Sequence, residues 1–266
     1  MSYEGRTIVV TGASVGIGRA LCRALAPQRP RLVLAARDEA KLEETAAECR
    51  ALGAEALVVP TDVGVEAQCR ALVDRAAAQF GGLDVLVNNA GLSMWARFDE
   101  LTDLSIYERI MRVNYLGCVW LTHAALPHLK RSRGQIVVIG SLLGITGGPT
   151  RTGYSASKHA LMGFYDSLRI ELMGTGVDIT IVAPDFVVSE IHRRSEGPDG
   201  KPLGETPMQE SKIMTAEECA AMILRGMQGR KRLVIGSLRG KLGRIVRIFA
   251  PGLIDQVAKR AIERGR

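Results

Sequence analysis

"VVTGASVGIGRAL" (residues 9–21) is the stretch on which the reading of this chain turns. A β-rich run, "RTIVVT" (6–11), stops at Gly12, and Gly16 and Gly18 stand where an apolar helix opens. Glycine lets a backbone turn tightly and come close to a ligand. At the start of a helix, free N–H groups and the positive end of the dipole meet negative charge. A strand, a glycine-rich turn and a helix in that order therefore predict a site for a pyrophosphate. The spacing is G-x-x-x-G-x-G, which differs from the G-x-G-x-x-G of the ordinary dinucleotide fingerprint.

Working outward, apolar β-rich runs recur at intervals too long for hairpins: 6–11, 31–36, 56–61, 84–90, 135–141, 177–184 and 232–236. Helix-like segments lie between them. Two of these, "DEAKLEETAAECRAL" and "EAQCRALVDRAAAQF", carry apolar residues three and four apart with charges between. Continuous apolar strands alternating with helices predict an α/β fold, a doubly wound parallel sheet of seven strands with helices on both faces. Segments 103–130 and 154–174 are less polar around their circumference, and serve either to meet a second subunit or only to cover the sheet. No linker divides residues 1–236, which read as one catalytic domain. Residues 190–214 break the pattern with three prolines, three glycines and many charges, so 186–214 are expected to form a lid.

Composition narrows the function classes. The 266 residues are 47% hydrophobic and 24% charged, enough for a large core without staples. Five cysteines, widely spaced and with no C-x-x-C pair, predict neither disulfides nor zinc, but small buried side chains in a reducing, cytoplasmic setting. His123, His128, His159 and His192 do not cluster at metal-ligand spacing, so no metal is expected, and His192 reads as a solvated loop residue. The first strand begins within six residues of Met1, which leaves no room for a signal peptide, and no apolar run approaches a membrane span. Residues 225–266 hold 12 Lys/Arg against 2 Asp/Glu, leaving −3 of the net +7 for residues 1–224. The basic character belongs to the tail, and the body carries no footprint for nucleic acid.

After the second strand the chain reads "LAARDEAKLEE" (34–44). An acid at a strand tip favours a ribose hydroxyl, whereas an arginine suits a 2′-phosphate. Arg37 holds that place, and Asp38 reads better as the cap of the following helix, so NADP(H) is expected, with NAD(H) the weaker alternative.

The reacting groups are expected at "YSASK" (154–158), where Tyr154 and Lys158 share one helix face, behind Ser141 of "VVIGSLLG" (137–144). A phenol has a pKa of about 10, and bringing it to about 7 takes roughly 4 kcal/mol. One ammonium about 4 Å away at an effective dielectric of about 20 supplies that much. Ser141 ends a strand at the carboxyl edge of the sheet, where its hydroxyl can donate to a substrate oxygen.

Taken together, "TGASVGIG" (11–18), "NNAG" (88–91), "VNYLG" (113–117), Ser141 and "YSASK" resemble the classical short-chain dehydrogenase/reductase family over about residues 5–236. The resemblance implies hydride transfer between a nicotinamide coenzyme and a carbonyl or secondary alcohol. It implies a catalytic set of Asn114, Ser141, Tyr154 and Lys158, with Asn114 interrupting helix hydrogen bonding. The coenzyme would contact Gly12, Ser14, Gly16, Ile17, Gly18, Arg37, Asp62 and Val63. It would then run past Asn89, Ala90 and Gly91 to Tyr154, Lys158, Pro184 and Val187. Asp62 would take the adenine amino group, and the asparagines would tie neighbouring strands. A homodimer or homotetramer is implied. One position departs from the family: Pro-Gly is replaced by Pro184-Asp185, where the carboxylate is expected to favour the positively charged NADP+ or to contact substrate. Leu92, Met94, Trp95, Leu142, Leu143 and Phe186 predict a lipophilic small-molecule substrate.

The tail, 237–266, forms a basic amphipathic extension. Leu238, Leu242, Ile245 and Phe249 share a helical face and Arg239, Lys241, Arg244 and Arg247 lie elsewhere. It predicts either peripheral contact with an anionic membrane, or packing over the substrate cleft or against another subunit.

Overall fold

The computed structural model describes residues 2–206, 208 and 213–263. Seven parallel strands form one sheet in the order β3-β2-β1-β4-β5-β6-β7. β1 (Thr7–Thr11) lies at the centre, in register with β2 (Arg31–Ala36) on one side and β4 (Val85–Asn88) on the other. β3 (Glu55–Pro60) forms one edge; β5 (Gln135–Ile139), β6 (Asp178–Ala183) and β7 (Leu233–Ile235) complete the other half. Strand order reverses between β1 and β4, and crevices for ligands open beyond the carboxyl ends at such a switch.

Both faces of the sheet are covered, which is why its strands read as unbroken apolar runs. On one face α1 (Gly16–Leu25), α2 (Glu39–Ala51) and α7 (Ala216–Gln228) bury Leu21, Leu25, Leu42 and Ile223 against Ile8, Leu32 and Leu34. On the other, α3 (Glu66–Phe80), α5 (Gly117–Ser132) and α6 (Thr152–Glu171) bury Leu72, Leu121, Leu161 and Tyr165 against Val9, Leu86 and Ile136. The long segment 103–130 holds α4 (Ser105–Met111), a π-helical turn at Arg112–Leu116 that contains Asn114, and α5. Met94, expected at the substrate surface, is instead fully buried in a small core with Ala96, Ile106 and Ile110.

After Ala183 the chain runs irregularly to α7. Part of the expected lid, residues 207 and 209–212, lies outside the described residues. The rest is anchored. Glu196 pairs with Met94 as an isolated bridge, its carboxylate takes Arg109 Nη2 at 2.5 Å, and Val188 N donates to Met214 O at 2.8 Å. His192 is not solvated as the sequence led us to expect. It is buried, with Nε2 3.0 Å from Val187 O, because the segment folds back on itself here.

Beyond β7, α8 (Leu238–Phe249) and α9 (Pro251–Glu263) pack against each other. Gly240 in α8 has a packing reason: a Cβ there would come 2.5 Å from Leu142 Cδ2.

Candidate active site

A cavity of about 940 Å³ runs along the carboxyl edge of the sheet, from the glycine loop past β4 to the start of α6. Gly12, Ser14, Gly16 and Ile17 line one end. Gly12 and Gly16 adopt φ of +65° and +55°, the left-handed region that favours glycine. Gly18 does not line the cavity. A Cβ on it would lie 2.1 Å from Gly12 O, so its role is the close packing of α1 beneath the turn. Val15 caps α1 without a side-chain hydrogen bond, which leaves the first N–H groups of the helix to a ligand. A cradle that a Cβ would fill and an uncapped helix start both fit a pyrophosphate.

At the tip of β2, Arg37 is exposed and lines the cavity. Asp38 caps α2, accepting from Lys41 N at 3.1 Å, as its sequence position suggested. Asp62 and Val63 line the cavity beyond β3, and Asp62 Oδ1 accepts from Gly64 N at 2.8 Å.

The turn after β4 is spliced to β1 by a residue the sequence reading passed over. Thr11 Oγ1 accepts from Asn89 N at 3.0 Å and Ala90 N at 3.1 Å while donating to Val87 O at 3.2 Å. Asn89 Nδ2 returns to Thr11 O at 2.8 Å. Asn88 is buried and donates to Tyr165 OH at 2.8 Å, on the far face. Asn89, Ala90 and Gly91 are thereby presented to the cavity wall.

Tyr154 and Lys158 rise from the first turns of α6 into the same cavity, with Lys158 Nζ 5.6 Å from the Tyr154 ring centroid. Lys158 is 5% exposed and donates to Ile139 O at 2.8 Å, at the end of β5, leaving further ammonium protons for a ligand. Ser141, just beyond that strand, accepts from Leu143 N at 3.1 Å, so its own hydroxyl proton remains available.

Asn114 lies in the π-helical turn, fully buried, and does not line the cavity. Its side chain grips Leu92 from both sides, Oδ1 accepting from Leu92 N at 2.7 Å and Nδ2 donating to Leu92 O at 2.9 Å. Nδ2 also reaches Ser157 Oγ at 2.9 Å, joining the β4 turn to α6.

Pro184 and Val187 line the wall where β6 ends, and Leu142 N donates to Pro184 O at 3.0 Å. Asp185 is not in the left-handed conformation. Its carboxylate accepts from Ser237 Oγ at 2.9 Å and Arg239 Nη2 at 3.0 Å. The expected unbalanced charge beside a nicotinamide is therefore offset by the tail.

The profile of the short chain dehydrogenase family matches residues 6–198. This chain belongs to that family. Among relatives of this short-chain dehydrogenase, "11-beta-hydroxysteroid dehydrogenase" of Pinus massoniana is 37% identical over 259 residues, 95% of this chain and 72% of that protein. A Dictyostelium discoideum "Dehydrogenase/reductase SDR family protein 7-like" is 34% identical over 96% of this chain and 81% of its own length. A short chain dehydrogenase/reductase of Burkholderia phymatum, crystallised in complex with NAD, superposes with a TM-score of 0.84 at 26% identity, covering 95% of this chain and 96% of that one.

Two side chains in this short-chain dehydrogenase went unread in the sequence, Ser93 and Arg151, both buried and both lining the cavity. No local pattern marks them, because their relation exists only once the segment after β4 and the residue before α6 come together.

Proposed function

We propose that this chain is an NADP(H)-dependent oxidoreductase interconverting a carbonyl and a secondary alcohol on an apolar small molecule. One observation carries the reading: a single cavity is lined by the glycine loop and by Ser141, Tyr154 and Lys158. The nicotinamide supplies or accepts the hydride. Tyr154 gives a proton to the substrate oxygen in reduction and takes it back in oxidation. Ser141 donates to the same oxygen as charge develops there. Lys158, held at Ile139 O, turns its remaining donors to the coenzyme ribose and the phenol. Asn114 positions the chain at Leu92 rather than touching substrate.

NADP(H) is favoured by Arg37 in the cavity wall and by the engagement of Asp38 as a helix cap. Leu92, Leu142, Leu143 and Phe186 give the substrate end an apolar wall, and relatives named for hydroxysteroids accord with such a substrate. The test is hydride transfer from NADPH and NADH across ketones and alcohols, beside Arg37→Ala and Tyr154→Phe. Turnover with NADPH that disappears in Tyr154→Phe is expected, together with a coenzyme preference that collapses in Arg37→Ala. Coenzyme binding without turnover of any partner would mark a sensor or scaffold instead, and an undiminished NADPH preference in Arg37→Ala would remove the coenzyme assignment.

We also infer that the tail meets an anionic membrane surface from a cytoplasmic, reducing compartment. No helix among the described residues is long and apolar enough to cross a membrane, so the contact is peripheral. In α8, Leu238, Leu242, Ile245, Ile248 and Phe249 are all more than half exposed, among four cations and no acid. Two copies meeting on this face would oppose like charges, whereas an anionic surface satisfies both features. A homodimer or homotetramer would instead form through α5 and α6, where Ile170 is exposed. Full-length protein should co-sediment with phosphatidylserine vesicles and lose this with Ile248→Glu/Phe249→Glu. Equal sedimentation of the two removes the membrane reading.

A further inference from the structure

Arg151 lines the cavity wall, and the proposed chemistry gives it no part. It directly precedes α6, three residues before Tyr154, and is only 4% exposed. Its guanidinium lies on the Trp95 ring, with Cζ 3.9 Å from the centroid. Nη1 donates to Ser93 Oγ at 2.6 Å, whereas Nη2 is buried with no hydrogen-bond partner. Among the described residues no carboxylate pairs with it. The chain is held in a strained form to put it there: Thr150 has φ +63°, unusual for a β-branched residue, and its carbonyl is fixed by Ala96 N at 3.0 Å.

A buried cation without a counter-ion is costly, and burial here pulls the Arg151 pKa down to about 10. A perturbed buried cation beside a cleft marks a candidate site for a ligand. A guanidinium whose plane is fixed by an aromatic ring and whose one arm is held by Ser93 offers its other arm to an oxygen, and carboxylates match that geometry best.

We propose that Arg151 is a specificity-determining residue, receiving a carboxylate carried by the substrate at a distance from the carbonyl that meets Tyr154. The substrate class is then an oxo acid, or its hydroxy acid, with an apolar body against Leu92, Leu142 and Leu143. The reacting carbonyl in this statement rests on the oxidoreductase reading. The carboxylate site does not, and the two fail separately.

Binding is read first, with NADP+ bound, from Trp95 emission in a Trp120→Phe background, the chain having two tryptophans. Octanoate should bind at least tenfold more tightly than octanamide, and Arg151→Met should abolish that difference while Arg151→Lys keeps part of it. Turnover is read second, on pairs of a medium-chain oxo acid and its methyl ester. The wild type should prefer the acid at least tenfold in kcat/KM, and Arg151→Met should bring the ratio toward one. An Arg151 that only supports the fold would lower both members equally, leaving the ratio unchanged, and that result overturns the proposal. So does a wild type that binds octanamide as well as octanoate, a measurement that needs no variant. Arg151-dependent octanoate binding with no turnover of any ketone or alcohol in the panel above would uphold the carboxylate site and bring down the oxidoreductase reading.

Discussion

Arg239 Nη2 lies 3.0 and 3.1 Å from the two carboxylate oxygens of Asp185, tying α8 to the residue that follows Pro184 at the cavity wall. Arg239 is 74% exposed and Asp185 18%, so the pair contributes only on the order of 1 kcal/mol. Its effect is on where the tail sits. Asp185→Gly should therefore move Tm by no more than about 4 °C while trypsin cleaves within 238–249 several-fold faster. Because Arg239 offsets the carboxylate, the ratio of NADP+ to NADPH affinity should be the same in both proteins. A tail that stays equally protected would show that the Gly240–Leu142 contact alone holds it.

Tyr154→Phe removes the proposed proton donor without breaking a hydrogen bond between described residues. Turnover should fall by about 10² to 10⁴-fold with coenzyme affinity retained. Lys158→Met should differ, because it also strips a buried donor from Ile139 O. Here turnover, coenzyme affinity and thermal stability should decline together. Steady-state kinetics with coenzyme titration and thermal melts distinguish the two patterns, and a Tyr154→Phe enzyme at wild-type rate would end the proton-transfer assignment.

Asn114 is predicted to act at one remove. Asn114→Ala leaves Leu92 N and Leu92 O without their partner, and an unsatisfied buried group costs about 1–3 kcal/mol. Stability should fall by that order, and kcat should fall more than KM changes, since the displaced segment carries the cavity floor from Gly91 to Ser93. Asn114→Asp keeps the acceptor for Leu92 N but loses the donor to Leu92 O and Ser157, so it should recover only part. A loss of kcat with an unaltered melt would mean that Asn114 takes part in proton transfer more directly.

What could be read in the sequence was whatever depends on short-range order. The glycine turn follows a strand and opens a helix, as its spacing predicted, and two of its glycines, Gly12 and Gly16, line the cavity. Tyr154 and Lys158 meet because helical neighbours four apart share a face. The doubly wound sheet was legible because strands covered on both sides must be apolar throughout. The readings that failed needed distant segments to be brought together. Asp185 lies 54 residues from Arg239, and nothing near Pro184 announces that its charge is met. His192 stands among charges and prolines as a loop residue does, yet the fold of its own segment buries it. Arg151 drew no reading at all, since what marks it is Trp95, 56 positions earlier, lying against its guanidinium.

Gly18 gives a test of the proposed phosphate end that does not depend on catalysis. A Cβ at this position would meet Gly12 O at 2.1 Å and Asn89 Nδ2 at 2.7 Å, both part of the junction between β1 and β4. Neither can retreat, since Asn89 Nδ2 is held by Thr11 O and the Gly12 carbonyl belongs to the turn itself. Gly18→Ala should cost about 1–3 kcal/mol as overpacking and weaken NADPH binding at least tenfold, because the turn must shift to admit the methyl group. Gly163→Ala serves as the control. It sits in α6 with nothing within 4 Å of where the added methyl group would stand, so it should leave coenzyme affinity alone. Isothermal titration of both variants decides the matter, and equal affinities would show that the loop tolerates the shift.

The thiols offer a final prediction with its sign set by burial. All five cysteines are free and buried. Desolvation disfavours the thiolate and pushes Cys49 and Cys118 up to about 11, Cys69 and Cys219 up to about 12, and Cys22 well above its usual value. A thiol with a pKa of about 11 is ionised to roughly one part in a thousand at pH 8, and only the thiolate reacts. Native protein at pH 8 should therefore react with a disulfide reagent far more slowly than unfolded protein, which should release five equivalents at once. Raising the pH to 9 should speed the native reaction about tenfold if direct access to a thiolate limits it, and leave it nearly unchanged if opening of the fold limits it. A thiol that reacts in the native protein within seconds at pH 8 would contradict the burial from which these values follow.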